Sequence, residues 1–133
     1  MKSYTDLEQS EKLAEFLPLK SADMYYHKDR YDDFVEIPHF NTEYKSMVDR
    51  DIVYCDNIIP CWSLSALFDI LEGEIDGEEG ETYQLKIEKD GDWWSVWYEE
   101  QYDEANPIET ESTQDILDAC YKMIVKLHEE NLL

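Results

Sequence analysis

The most constraining feature of this sequence is the apolar periodicity of its C-terminal stretch, residues 113–133. At about 100° per residue, seven apolar side chains share an arc of roughly 160°, and charged residues lie opposite. The pattern predicts a helix capped by Ser112, with Asp115 completing a capping box. Such a stripe stabilises a helix only by packing against another element, and a sheet is the expected partner. The stripe consists of Ile116, Leu117, Ala119, Cys120, Met123, Ile124 and Leu127.

The strongest strand signal lies at residues 83–98, around Asp90-Gly91. Taken as a two-residue type I′ turn, this dipeptide predicts a hairpin that pairs Ile87 with Trp94. One face of the hairpin is then wholly apolar or aromatic, and a one-residue slip would mix the two faces. We expect the C-terminal helix to cover this apolar face. It comprises Tyr83, Leu85, Ile87, Trp94, Val96 and Tyr98, and the opposite face comprises Gln84, Lys86, Glu88, Trp93, Ser95 and Trp97.

Weaker patterns indicate the other elements. Thr5 and Glu8 form a capping box that starts a first helix, which ends before Pro18, and Ser63 caps a predicted helix over residues 64–71. The order of elements predicts one α+β domain over residues 1–133, with a mainly antiparallel sheet and helices packed on one face. The remaining predictions are strands at 22–28, 31–37 and 52–55, a tight turn at 28–30 and loops at 72–81 and 101–111.

Composition limits the class of protein. Ten Tyr, four Trp and four Phe among 133 residues are too many for a disordered chain. No apolar run approaches the roughly 18 residues of a membrane span, and the N-terminal residues lack the apolar core of a signal peptide. The three cysteines, Cys55, Cys61 and Cys120, have no C-x-x-C spacing, so reduced thiols are expected. These features predict a soluble, cytoplasmic protein that does not bind membranes.

The negative charge is large and uneven. The chain carries a net charge of −22, and residues 69–118 hold eighteen acidic residues against the two lysines Lys86 and Lys89. A field of this sign repels nucleic acid and favours fast, salt-sensitive association with basic partners. The alternative is that acidity serves only to keep the protein soluble.

The acidic loop 72–81 partly matches the start of a calcium-binding EF-hand loop. Its spacing fits positions 1, 3, 5 and 6, but position 12, which requires a bidentate Glu, is Tyr83. We therefore predict a solvated loop without a metal, whose carboxylates are available to a protein partner. The carboxylates are Glu72, Glu74, Asp76, Glu78 and Glu79.

Two tryptophans, Trp93 and Trp97, stand on the otherwise polar face of the predicted hairpin. Exposing tryptophan side chains to solvent is unfavourable in free energy unless another element covers them or a partner binds them. Either a helix or loop covers them, or they form a partner-binding patch. We hypothesise that Trp93 and Trp97, rimmed by Glu88 and Glu99, form an interaction surface.

No catalytic, metal-binding or cofactor-binding motif appears in the sequence. The histidines and cysteines lack the spacing of a structural zinc site, and no nucleophile elbow or glycine-rich loop opens a helix. The sequence therefore predicts a protein that is not an enzyme and holds no cofactor.

Several segments carry a resemblance to a known family. The central segment IPCWSLSAL at 59–67, the N-terminal segments at 4–10 and 13–18, and the C-terminal segments at 118–124, 126–128 and 132–133 are involved. They resemble a family of short acidic proteins from anaerobic bacteria, their phages and mobile elements. That family has no assigned biochemical function, so the resemblance implies a bacterial or phage origin and no site residue.

Taken together, these features favour a non-enzymatic interaction module that binds a basic protein partner. A more specific alternative is a DNA mimic, whose carboxylates imitate phosphate spacing on a nucleic-acid-binding protein. A third possibility, from another class, is a small-ligand-binding domain or minor enzyme with its site between sheet and loop.

Overall fold

The computed structural model describes residues 1–27, 38–40 and 58–133, with the backbone alone at 39, 40, 104 and 105. The described residues form α-helices and antiparallel sheets, which confirms the predicted α+β class. The chain divides into two compact units, Ser3–Ala66 and Leu67–Leu133 with Met1–Lys2. The helices are α1 (Leu7–Ala14), α2 (Leu64–Ile70) and α3 (Ile116–Glu129); the strands are β1 (Met24–His27), β2 (His39–Phe40), β3 (Ile58–Cys61), β4 (Glu74–Asp76), β5 (Thr82–Asp90), β6 (Trp93–Glu100) and β7 (Asp103–Glu109).

Helix α1 begins one residue later than predicted. Asp6 is its N-cap and forms a capping box with Gln9, whereas the sequence pattern favoured Thr5 with Glu8. Thr5 is fully buried, and its hydroxyl accepts the Trp62 N–H at 3.1 Å and shares a 2.7 Å hydrogen bond with Ser10. Because this hydroxyl has partners within the unit, the adjacent carboxylate caps the helix.

The sheet of the Ser3–Ala66 unit has the order β2-β1-β3, and both pairings are antiparallel. Strand β1 confirms the strand predicted at 22–28. Strand β3 was not predicted. Pro60 lies within it, and β3 is at an edge of the described sheet, where proline is tolerated. The strands predicted at 31–37 and 52–55 and the turn at 28–30 lie outside the described residues.

Helix α2 has the predicted N-cap. The Ala66 N–H donates to the Ser63 hydroxyl oxygen at 3.2 Å, which satisfies one of the free donors of the first turn. Asp23 holds Ser63 in turn, accepting both its backbone N–H, at 2.9 Å, and its hydroxyl. The predicted helix at 64–71 is confirmed to within one residue at its end.

The sheet of the second unit has four antiparallel strands in the order β4-β5-β6-β7. Strand β4 lies within the stretch predicted to be a loop, so that prediction is wrong at 74–76. Ile75 is buried between the exposed Glu74 and Asp76, which is the two-residue alternation of a half-buried strand. Strand β7 likewise occupies most of the predicted linker 101–111.

The central hairpin has its turn one residue beyond the predicted position. Asp90 pairs with Trp93, so the loop is Gly91-Asp92, and Ile87 pairs with Val96 rather than Trp94. Gly91 has a φ of 61° at the first loop position, as a type II′ turn requires. Moving the turn by one residue shifts every pairing by two, so the same residues stay on each face and the predicted faces are confirmed.

Helix α3 packs against β6 on the apolar face, which we call the inner face. All seven residues of the predicted stripe are buried, as are Tyr83, Val96 and Tyr98 beneath them. Ile87, nearer the hairpin turn, is 40% exposed, so the predicted cover is incomplete there. The predicted cap is also wrong: Asp115, not Ser112, caps α3, accepting the Leu117 N–H at 2.9 Å.

Candidate functional site: the outer face of the four-stranded sheet

The face of the four-stranded sheet opposite α3, here called the outer face, combines acidic and aromatic side chains. Its described members include six carboxylates and one lysine, which gives a formal charge of −5. The alternation of side chains along each strand and the pairing register define the face. Its residues are Glu74, Asp76, Thr82, Gln84, Lys86, Glu88, Asp90, Trp93, Ser95, Trp97, Glu99 and Glu109.

The two tryptophans predicted to form an interaction surface both lie on the outer face. Trp93 is 51% exposed and Trp97 is half-buried, so neither belongs to the core. Glu88 is exposed and Glu99 is half-buried on the same face. The structure thus places the four predicted residues together on one surface that solvent reaches.

The acidic-loop carboxylates divide into two groups. Glu74 and Asp76 lie on β4 opposite Gln84 and Thr82, and therefore join the outer face. The other three, Glu72, Glu78 and Glu79, lie beyond the ends of β4. Tyr83, which would occupy the last EF-hand ligand position, is buried on the inner face, so it does not converge with Glu74 and Asp76.

Glu109 is a member of the outer face that sequence reasoning missed. It lies directly opposite Trp97 on β7, while Lys86 lies opposite Trp97 on β5. The sequence signal was weak, because Ile108 is the single large apolar residue of its stretch and an acidic linker was the simpler interpretation. Ile108 is buried opposite Tyr98, which turns Glu109 to the outer face.

A shallow cleft, here called the dent, interrupts the outer face beside Trp97. Glu109 pairs with Trp97 and Thr113 pairs with Trp94, so three residues, 110–112, face the two β6 residues 95 and 96. One extra residue on one chain produces a bulge that disturbs the ladder locally. The dent has a volume of about 250 Å³. It is lined by Glu88, Ser95, Trp97, Glu109, Thr110 and Ser112.

The polar side-chain atoms of the dent are mainly oxygens. The Ser95 and Ser112 hydroxyls share a hydrogen bond of 2.7 Å across it. The Thr110 hydroxyl oxygen is buried and has no hydrogen-bond partner among the described residues. The described lining contains two carboxylates and no cation, so the local charge is −2.

Two other shallow clefts, both beside α3, have a more balanced charge. One contains Lys122 and Lys126 with Glu111 and Glu129, so its formal charge is zero. The other contains Lys126 with Glu109 and Glu130, so its formal charge is −1, and the Lys126 ammonium lies 3.1 Å from the Glu130 carboxylate. The dent beside Trp97 therefore has the strongest uncompensated charge of these three clefts.

The described cysteines are unsuited to nucleophilic chemistry. Cys61 and Cys120 are both fully buried free thiols. Burial raises the pKa of the Cys120 thiol to about 12 and also raises the pKa of Cys61, so both are protonated near neutral pH. Among the described residues, no group of three or more His, Cys, Asp or Glu is arranged to hold a metal ion.

Comparison with known proteins gives no relative from which a role could be transferred. No family model, no curated protein and no solved structure matches the chain. Within the part of the chain that the structure describes, no helix has the length and apolar character needed to cross a membrane.

Proposed function

We propose that this protein is a non-enzymatic interaction module that binds a basic protein segment on its outer face. The observation that carries the proposal is the position of a half-exposed Trp93 and a half-buried Trp97 among six carboxylates. The proposal includes a cytoplasmic setting and, from the sequence resemblance, a bacterial or phage origin.

Charge supports a basic rather than a neutral partner. The outer face has a formal charge of −5, within a chain whose net charge is −22. Such a field raises the association rate of a cationic segment and orients it before contact, and salt weakens both effects. Binding should therefore be fast at low ionic strength and should weaken steeply as salt is added.

The tryptophans supply the short-range part of the interaction. Charge alone gives long-range attraction but little geometric selectivity, whereas indole rings bury a large area and attract cations over their faces. Tryptophan is also among the residues most enriched in the energetic centre of protein interfaces. Trp93 and Trp97 lie on one strand with Ser95 between them, so an extended segment along β6 could contact both.

The experiment compares variants that keep the overall charge. Binding of a nona-lysine peptide is measured by calorimetry at low salt for the native chain, Trp93→Ser with Trp97→Ser, and Tyr102→Ser. Tyr102 is 91% exposed in the β6–β7 turn, outside the face, and serves as the matched aromatic control. A loss of affinity of about tenfold in the double variant, with no loss in Tyr102→Ser, supports the proposal. Equal binding by all three chains contradicts it.

The same samples address the sequence-level alternatives. A DNA mimic predicts capture of nucleic-acid-binding proteins from lysate that free DNA displaces, whereas a basic-segment binder predicts displacement by the cationic peptide. A small-ligand site predicts neither displacement by DNA nor displacement by the cationic peptide. The dent beside Trp97, at about 250 Å³, is below the roughly 300–1,000 Å³ of ordinary ligand pockets, which does not favour a small-ligand site there.

A further inference from the structure

The dent beside Trp97 combines three recognition elements in a small volume. It provides part of an indole, two carboxylates on opposite sides and several hydroxyl oxygens. From these we infer that the dent seats one arginine side chain of the basic partner. This inference rests on the proposed function and specifies which residue type the outer face recognises.

The charge of the dent selects a cation. Glu88 on β5 and Glu109 on β7 line the dent, and the described lining contributes no cation to balance them. Lys86, the single lysine among the described residues of the outer face, pairs with Trp97 but is not one of the residues that line the dent. A side chain that enters the dent is therefore selected for positive charge.

The separation of the two carboxylates favours a guanidinium over an ammonium. Glu88 lies opposite Ser95 on one side of β6, and Glu109 lies opposite Trp97 on the other side. Two strand spacings of about 4.8 Å and an offset of two residues, about 7 Å, place their backbones about 12 Å apart. A guanidinium presents five N–H donors in a planar fork and can donate in two directions at once. An ammonium is a compact point charge that is better suited to one carboxylate.

The indole and the hydroxyls of the dent suit the same group. A planar guanidinium stacks on an aromatic surface while its N–H groups donate in its own plane. Trp97 lies between the two carboxylate strands, and the solvent-exposed hydroxyls of Ser95 and Ser112 supply acceptor oxygens in the dent.

The size of the dent limits the occupant to part of a molecule. A volume of about 250 Å³ accommodates a single long side chain, whereas the rest of the partner lies on the open outer face. Among the described residues, no group of three or more His, Cys, Asp or Glu could hold a metal ion here, so the two carboxylates do not point to a metal site.

The test compares nona-arginine with nona-lysine, which have the same length and charge. Affinities are measured at low salt for the native chain, Glu88→Gln with Glu109→Gln, and a control, Glu11→Gln with Glu129→Gln. The control removes the same charge at two exposed positions outside the face. We expect the native chain and the control to prefer nona-arginine by about tenfold and the Glu88/Glu109 variant to lose most of that preference.

The outcomes separate this inference from the proposed function. Equal affinity of the native chain for the two peptides overturns the arginine inference and leaves the proposed function standing. A preference that is unchanged in the Glu88/Glu109 variant also overturns it, because the selectivity then arises elsewhere. Binding of neither peptide contradicts the proposed function itself. A Trp97→Leu variant that keeps its far-ultraviolet spectrum and loses the preference provides independent support.

Discussion

Lys86 lies directly opposite Trp97 in the β5–β6 pairing. The single lysine among the described residues of the outer face is therefore a neighbour of Trp97 on that face. The position has an energetic consequence, because a fixed positive charge next to the proposed contact opposes the approach of a cationic partner. Trp97 is thus flanked by one lysine, on β5, and one carboxylate, Glu109, on β7.

Removing Lys86 should strengthen the binding of cationic peptides. We expect Lys86→Gln to raise the affinity for nona-lysine severalfold at low salt, because a repulsive charge leaves the contact region. Lys20→Gln, at an exposed lysine of the other compact unit, changes the net charge equally and is the control. Identical gains in the two variants would mean that only the overall charge matters.

Trp93 should be dispensable for folding. Because it is 51% exposed, Trp93→Ser should change the free energy of unfolding by less than about 1 kcal/mol. Chemical denaturation monitored by far-ultraviolet circular dichroism measures this value. A loss of more than about 3 kcal/mol would assign Trp93 to the core and remove the tryptophan from the proposed contact.

Met123 should be essential for stability, in contrast to its neighbour Lys122. Met123 is fully buried on the stripe of α3, so Met123→Ala should cost about 2–5 kcal/mol through lost burial and the cavity left behind. Lys122 is exposed, and Lys122→Ala should change stability by at most about 0.5 kcal/mol. Similar losses in both variants would contradict the packing of α3 against β6.

The two candidate caps of α3 can be distinguished by mutation. Asp115 accepts the Leu117 N–H at 2.9 Å and, with its other oxygen, the Lys2 N–H at 2.7 Å. Asp115→Ala should therefore cost about 1 kcal/mol. Ser112→Ala should cost less, because the Ser112 hydroxyl bonds to the Ser95 hydroxyl in a solvent-exposed position. Denaturation curves that show the reverse order would restore the cap predicted from the sequence.

The buried thiol of Cys120 makes the protein sensitive to alkaline pH. Its pKa is raised by burial from an ordinary value of 9.0 to about 12, so the folded state retains a proton that the unfolded state releases. This contribution is fully present below pH 9 and is lost as pH rises towards 12. We expect Cys120→Ala to make the fall in stability above pH 9 shallower, and an unchanged slope would contradict this assignment.

The sequence predicted the elements whose patterns are local. The stripe of α3 and the alternation of β5 and β6 each contain enough residues to define a face, and both predictions are confirmed. The hairpin turn was misplaced by one residue because Asp90-Gly91 and Gly91-Asp92 both fit two-residue turns. The resulting two-residue shift in pairing leaves each face unchanged, so the hydrophobic pattern could not distinguish the two turn positions.

The parts of the fold and of the candidate site that the sequence did not predict depend on pairings between distant segments. Strand β4 contains one apolar residue, Ile75, within an acidic stretch, and its alternation is too short to outweigh that composition. The dent arises because residues 110–112 bulge against β6, which no local pattern encodes. Trp93 and Trp97 could be predicted as a surface from the hairpin alone, whereas Glu109 and Thr110 required the neighbouring strand.

The most direct test of binding on the outer face is to map the contact residue by residue. Titration of the isotope-labelled full chain with nona-arginine at low salt, followed by amide and indole N–H shifts, reports where the peptide binds. We expect the largest changes on the indole N–H groups of Trp93 and Trp97 and on the amides of β5, β6 and the 109–112 segment. Changes spread evenly over all acidic surfaces, or concentrated on α1 or α3, would contradict the proposed contact.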